Sequence, residues 1–143
     1  MNRVTGRWIR CRRSRQSLQQ QRSVPSNGYS PICGRSLLFR HADIREEAAV
    51  YDILRCCGVT AVVHLAGLKA VGESNVQSIT YCENNVLGTT RLVSTMTNAK
   101  VKTLVFSSSA TVYGISTYLP LDEEHPLEPT NPYGSQSFSS KKC

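Results

Sequence analysis

Val101-Lys102-Thr103-Leu104-Val105-Phe106-Ser107-Ser108-Ser109-Ala110-Thr111-Val112-Tyr113-Gly114 decides the fold class. Leu104, Val105 and Phe106 are apolar and strand-preferring, and they end abruptly in three serines. A strand buried in a parallel sheet reads as a short apolar run, and open α/β sheets bind ligands beyond the carboxyl ends of their strands. The stretch therefore predicts a packed strand that delivers hydroxyls to a crevice. Thr60 to Leu65 repeats the pattern, with burial expected on both faces. It runs into Ala66-Gly67-Leu68-Lys69, where a glycine lets a ligand approach the backbone closely.

The elements between and before these strands complete an alternation. Ser36-Leu37-Leu38-Phe39 predicts a short strand. A helix follows, with Asp43 as its cap and Glu46 and Glu47 in a first turn where the helix dipole favours anions. Ala49, Val50, Ile53, Leu54 and Cys57 share one face, and Gly58 is a natural stop. From Ser74 and Asn75, as caps, one long helix is expected to reach Asn98, with Ile79, Cys82, Val86, Thr89, Val93 and Met96 inward. Gly88 costs such a helix about 1 kcal/mol relative to alanine and marks close packing on the sheet. Strand, helix, strand, helix, strand implies a parallel sheet with crossover helices. Pro120, Pro126, Pro129 and Pro132 make 115–132 a loop. The serine-rich tail 135–143 is too weakly amphipathic to predict a helix.

A chain of 143 residues fits one domain. No run approaches 18 apolar residues, which excludes a transmembrane helix and a membrane partner on that ground. Nine of the 17 basic residues, all arginines, precede Asp43, where there is no acid. The remaining eight face all ten acids, so the basic character belongs to the start and not to the domain. Residues 1–34 carry no apolar period and read as an irregular, basic, non-domain segment. Three readings stay open for it: an organelle transit peptide, a basic arm for phosphates, or sequence foreign to the domain. The missing aromatic interleaving argues against nucleic acid. Six cysteines (Cys11, Cys33, Cys56, Cys57, Cys82, Cys143) lack metal-ligand spacing, so no metal site is expected. Cys56, Cys57 and Cys82 fall on apolar helical faces as small hydrophobes, and a reducing, cytoplasmic compartment follows.

Gly67, Lys69, Ser107, Ser109, Thr111 and Tyr133 fall at strand ends or in loops along one edge. Amides, hydroxyls and an ammonium suit a phosphorylated or ribose-bearing ligand, and a serine beside a tyrosine suits proton transfer at a hydroxyl. Each also has an ordinary reading: Ser-Ser-Ser as a turn, a tyrosine after proline as a loop residue, Lys69 as a solvated lysine.

Ala66-Gly67-Leu68-Lys69-Ala70-Val71-Gly72-Glu73-Ser74 and Phe106-Ser107-Ser108-Ser109-Ala110-Thr111-Val112-Tyr113-Gly114 closely resemble the UDP-glucose 4-epimerase family of extended short-chain dehydrogenase/reductases. Leu119-Pro120-Leu121-Asp122-Glu123 and Asn131-Pro132-Tyr133-Gly134 continue the likeness, which runs from about Gly34 to Gly134. The resemblance implies a doubly wound sheet that binds NAD, a UDP-sugar substrate and a homodimer. It implies Tyr133 as the base at the sugar 4-hydroxyl and Ser109 as its hydroxyl partner, with Ala110 and Thr111 beside the sugar. It places Asp43 and Ile44 on the adenine side. Leu65, Ala66, Gly67, Leu68, Lys69 and Ser107 lie along the cofactor, together with Asn84 or Asn85.

Two departures qualify the likeness. The family opens with a strand, a Gly-x-x-Gly-x-x-Gly turn and a helix whose bare amides meet the pyrophosphate. No two of the nine glycines here sit three apart. The family tyrosine is followed four residues on by a lysine that lowers the phenol's pKa; here that position is Ser137, and Lys141 lies eight residues on. The expected protein is thus a partial Rossmann-type α/β domain over 35–134, lacking its first βαβ segment and central strand. It is expected to be truncated at both ends, without the uracil contacts, and inactive alone. The alternatives are a non-catalytic truncated product and, less well supported, a basic nucleic-acid-binding segment fused to it.

Overall fold

The computed structural model describes residues 40–142. The expectations for residues 1–34, for the strand Ser36–Phe39 and for Cys11, Cys33 and Cys143 lie outside the described residues. In chain order the elements are α1 (Glu47–Cys56), β1 (Ala61–His64), α2 (Val71–Val76), α3 (Ser78–Cys82), a π-helical turn (Glu83–Leu87), α4 (Gly88–Asn98), β2 (Thr103–Phe106), a 3-10 turn (Ala110–Tyr113) and α5 (Pro132–Lys142).

The two strands pair in parallel, with Ala61 opposite Thr103 and His64 opposite Phe106, so both carboxyl ends reach the same edge. This is the partial Rossmann-like α/β arrangement that the alternation implies. One sheet face packs on α1 and α4: Val62 and Leu104 meet a core of Val50, Leu54, Leu92, Met96, Ala99 and Val101. Burying each of the larger of these side chains contributes roughly 1.5–3 kcal/mol. The opposite face is open among the described residues, with Val63 at 58%, Leu65 at 63% and Val105 at 55% exposure. Burial of β1 on both faces is therefore corrected, because α1 and α4 cover the same side.

Both strand-preceding helices stop alike. Gly58 has φ 57, and the Val59 amide bonds back to the Leu54 carbonyl at 3.0 Å. Lys100 has φ 62, and the Val101 amide bonds back to the Met96 carbonyl at 2.8 Å. In each case a left-handed residue lets the next amide satisfy a carbonyl of the last turn and turns an apolar side chain inward. Asp43 does not cap α1, which begins at Glu47. Its carboxylate instead accepts from the Arg45 amide at 2.9 Å and pairs with the Arg45 guanidinium at 2.7 Å. A carboxylate two residues before a guanidinium closes a local ring more readily than it reaches a helix that starts four residues on.

The single helix expected from Ser74 to Asn98 is broken. Gln77 leaves helical geometry at ψ 43, and Glu83–Leu87 is wound as a π-helix. Ser74 is no cap but lies inside α2, fully buried, donating to the Val71 carbonyl at 2.6 Å. A π turn inserts an extra residue and so rotates one end of the helix against the other. The inward row accordingly runs through Tyr81, Asn84, Asn85, Gly88, Thr89, Leu92, Thr95 and Met96. Ile79 is 76% exposed, and Cys82 and Cys56 are also exposed, contrary to the apolar placement expected for them. Gly88 packs not on the sheet but on Ile44, whose Cδ1 would lie 2.7 Å from an added Cβ.

The tail is helical from Pro132 to Lys142, not irregular. Asn131 sits at the N-cap with proline at the first helical position; its Oδ1 accepts from the Gly134 amide at 2.8 Å. The inward face is polar, with Gln136, Ser137 and Ser140 buried. Gln136 donates to the Ser78 carbonyl at 3.2 Å and Ser140 to the Asn85 carbonyl at 3.0 Å. Hydrogen bonds to neighbouring helices thus hold a helix that has no apolar stripe.

Candidate functional site

The loop after β1 is fixed by two side chains of the broken helix. The Asn85 carboxamide pairs with the backbone of Leu68: Oδ1 accepts from the amide at 2.8 Å and Nδ2 donates to the carbonyl at 3.0 Å. Gly67 lies flat against the same amide group, since an added Cβ would meet Asn85 Oδ1 at 3.3 Å. Tyr81, 1% exposed, donates its phenol to Glu73 Oε2 at 2.8 Å and so anchors the start of α2. Burial, and then the Glu73 carboxylate, push the Tyr81 phenol above its ordinary pKa, while the Ala70 amide pulls the other way. The result is a rigid path for 66–73 with Leu65 and Lys69 exposed.

β2 ends beside this loop. The Ser107 amide extends the ladder to the His64 carbonyl at 3.1 Å. Ser107 and Ser108 are exposed and Ser109 is half-buried. Ser109 caps the following 3-10 turn: its Oγ accepts from the Thr111 amide at 3.3 Å and lies 2.9 Å from Thr111 Oγ1. α5 starts against this turn. A Cβ on Gly134 would lie 2.6 Å from the Thr111 carbonyl oxygen and 2.9 Å from Pro129 Cβ, so only glycine fits there. Tyr133 is the residue before Gly134, in the first turn of the helix that packs on this turn.

A buried polar chain ties the two halves together. Thr89 Oγ1 donates to the Asn85 carbonyl at 2.6 Å, so it must accept from His64 Nε2 at 2.9 Å. The same carbonyl takes the Ser140 hydroxyl. β1, the π turn and α5 are thus joined through one oxygen.

The structure groups Gly67 and Leu68 with Asn85, and Ser109 and Thr111 with the start of α5, in two separate clusters; Lys69 and Ser107 are exposed. Asn85, not Asn84, reaches the strand-end loop. Asn84 turns back to the Thr80 carbonyl at 2.9 Å and leaves its buried Oδ1 without a partner. Asp43 is engaged by Arg45, and Ile44 is buried against Gly88. Ser137 is buried, and it places a neutral side chain one helical turn after Tyr133. Among the described residues no cluster could hold a metal ion. The Tyr81–Glu73 bond is not legible in the sequence: Glu73 lies within the Ala66–Ser74 string with no role assigned to it, and Tyr81 falls outside the apolar row expected for its helix. Among the described residues no glycine-rich turn opens a helix to seat a pyrophosphate, and α1, a later helix than the one such a turn would open, carries Glu46 and Glu47 at its start.

Residues 8–141 match the family model described as GDP-mannose 4,6 dehydratase. The chain is 48% identical over 103 residues to UDP-glucose 4-epimerase of Dictyostelium discoideum, covering 72% of this chain and 30% of that protein. It is 49% identical over 108 residues to the Mus musculus enzyme, covering 75% and 31%. Among solved structures it superposes with TM-score 0.69 and 41% identity on the Bifidobacterium longum epimerase in complex with NAD+ and UDP, over 72% of this chain and 31% of that one. With the Brucella ovis epimerase in complex with NAD the TM-score is 0.73 at 31% identity, over 76% and 34%. The chain thus spans about a third of the length of the curated relatives it matches.

Proposed function

The chain belongs to the family of the GDP-mannose 4,6-dehydratase model, and on that premise we propose that it is the strand-end half of a UDP-glucose 4-epimerase pocket. The reaction is inversion at C4 of a UDP-sugar, interconverting UDP-glucose and UDP-galactose in galactose metabolism. NAD, when bound, supplies a reversible hydride acceptor for such chemistry. The observation that supports the reading is the seat of Gly134, the residue after Tyr133, on the carbonyl of Thr111 in the turn that Ser109 caps.

The residues divide the work by their chemistry. Ser109 and Thr111 share one hydroxyl proton in their mutual bond. The other proton is left to meet a sugar oxygen, here the 4-hydroxyl. Tyr133 takes the proton of that hydroxyl, and Ala110 lines the sugar. Leu65, Ala66, Gly67, Leu68, Lys69 and Ser107 run along the cofactor, and Asn85 acts by holding Leu68. Asp43 and Ile44 are the adenine-side contacts.

This polypeptide by itself does not turn over. An ordinary phenol is only ~0.1% ionised at pH 7 and needs a nearby cation to act as a base. Ser137 supplies none. No described helix is long and apolar enough to cross a membrane. The free thiols of Cys56, Cys57 and Cys82 fit a reducing cytoplasm. Exposed Val76, Ile79 and Leu87 fit a homodimer.

Saturation-transfer NMR with UDP-galactose tests the reading. Transfer to the galactosyl protons is expected from the native chain and is expected to be lost in Ser109→Ala/Thr111→Val. Transfer that survives the double substitution overturns the assignment of the sugar side.

A further inference from the structure

Eighteen residues separate the 3-10 turn from α5, and so lie between Ser109 and Tyr133, the proposed reacting pair. The strap leaves at Gly114, where φ is 66, and returns across it, since a Cβ there would collide with the Glu128 carbonyl. Its interior is organised by His125, 2% exposed. The ring stands edge-on to Tyr113 at 5.4 Å and 89°, and lies against Tyr118 at 4.8 Å. The charged group beside it is Asp122, whose Oδ1 accepts from the Tyr118 hydroxyl at 2.7 Å and from the Glu124 amide at 3.1 Å.

The hydrogen bonds leave the ring one protonation state. Nε2 lies 3.1 Å from the Thr117 amide nitrogen, which can only donate, so Nε2 must carry its lone pair. Nδ1 lies 2.9 Å from the Pro126 carbonyl oxygen, which can only accept, so Nδ1 must carry the hydrogen. Thr117 Oγ1, 3.3 Å from Nε2, can donate to the same lone pair. The imidazolium would set its N–H against the Thr117 N–H, and the other neutral tautomer would lose both the Thr117 amide and the Pro126 bonds and keep only that longer hydroxyl contact.

We propose that His125 is a positioning residue: locked as the neutral Nδ1–H tautomer, it staples Thr117 to Pro126 and so sets the placement of Tyr133 against Ser109. It acts through the strap and touches neither substrate nor cofactor. The positioning role rests on the reading of Ser109 and Tyr133 as the reacting pair, whereas the staple does not.

Nitrogen-15 NMR of the whole chain at about pH 8, where an ordinary histidine is neutral, reads the tautomer directly. A protonated Nδ1 and an unprotonated Nε2 are expected. An imidazole free in water favours the opposite tautomer, so an Nε2–H signal overturns the proposal, whether the strap is loose or differently bonded. Variants give a second readout in Thr117 amide exchange. His125→Gln keeps an acceptor where Nε2 stood, and should leave Thr117 within about twofold of native. His125→Phe keeps the ring and loses the bond, and should exchange Thr117 about tenfold faster. Equal exchange in the two variants contradicts the staple. Absence of galactosyl saturation transfer from the native chain, with the tautomer as expected, contradicts the reacting-pair reading alone.

Discussion

The Asn85 carboxamide and the Leu68 peptide face each other as a matched pair, with a 2.8 Å bond in one direction and a 3.0 Å bond in the other. They lie seventeen positions apart in the chain. The pair converts a glycine-containing strand end, which would otherwise sample many conformations, into a fixed edge. It depends on the π turn, which rotates Asn85 to the inward side.

Asn85→Leu removes both bonds to the half-buried Leu68 peptide. Each such bond contributes about 0.5–1.5 kcal/mol net, so a loss of about 1–3 kcal/mol is expected in urea unfolding. Asn84→Leu should cost less, because Asn84 Oδ1 has no partner to lose. Equal losses would contradict the distinction between the two asparagines.

The buried Tyr81 phenol predicts an alkaline limb. Burial and the Glu73 bond raise its pKa in the folded chain. A raised folded value means its contribution is complete below the unfolded value of about 10 and is lost as pH rises above that. Native stability should therefore fall from about pH 10 upward, and Tyr81→Phe should flatten that fall. A Tyr81→Phe chain with an unchanged alkaline limb would contradict this placement of the phenol.

Gly134 should tolerate no side chain. Gly134→Ala forces apart the Thr111 carbonyl and Pro129, at a cost of about 1–3 kcal/mol from overpacking. Fluorine NMR of a fluorotyrosine at position 133 should report a shifted environment. An unmoved resonance would show that α5 is not registered on the Ser109 turn.

The two left-handed helix stops predict opposite outcomes. Gly58 has open space around its missing Cβ, so Gly58→Ala meets only backbone strain and should cost about 1 kcal/mol. Lys100→Gly relieves the same strain and gives back part of the gain as unfolded-state entropy, for a net stabilisation of about 0.5 kcal/mol. Thermal unfolding of both variants decides the matter.

Leu104 to Phe106 and Val62 to Leu65 announced the parallel pair because β-branched apolar runs that end in serine or glycine have few other uses. Gly58 announced its helix stop for the steric reason that operates there. The π turn was hidden, because Glu83-Asn84-Asn85 reads the same in an α or a π winding, and the expected inward row was out of phase as far as Ile79. Asp43 has the residue type of a cap, but its partner, Arg45, lies closer than α1. α5 is not legible because its buried face is Gln136, Ser137 and Ser140, and apolar periodicity is blind to a face held by hydrogen bonds. The Asn131-Pro132 pair did carry the start signal. At the site, the hydroxyl cluster was legible, whereas the tautomer of His125 and the phenol of Tyr81 depend on partners that only the fold supplies.

The most direct test is conversion of UDP-galactose by the purified chain with NAD, compared with Ser137→Lys. On the proposed reading the native chain should form no UDP-glucose above background, because Ser137, one turn after Tyr133, carries no charge. Formation of UDP-glucose at an enzymatic rate by the native chain would contradict the account.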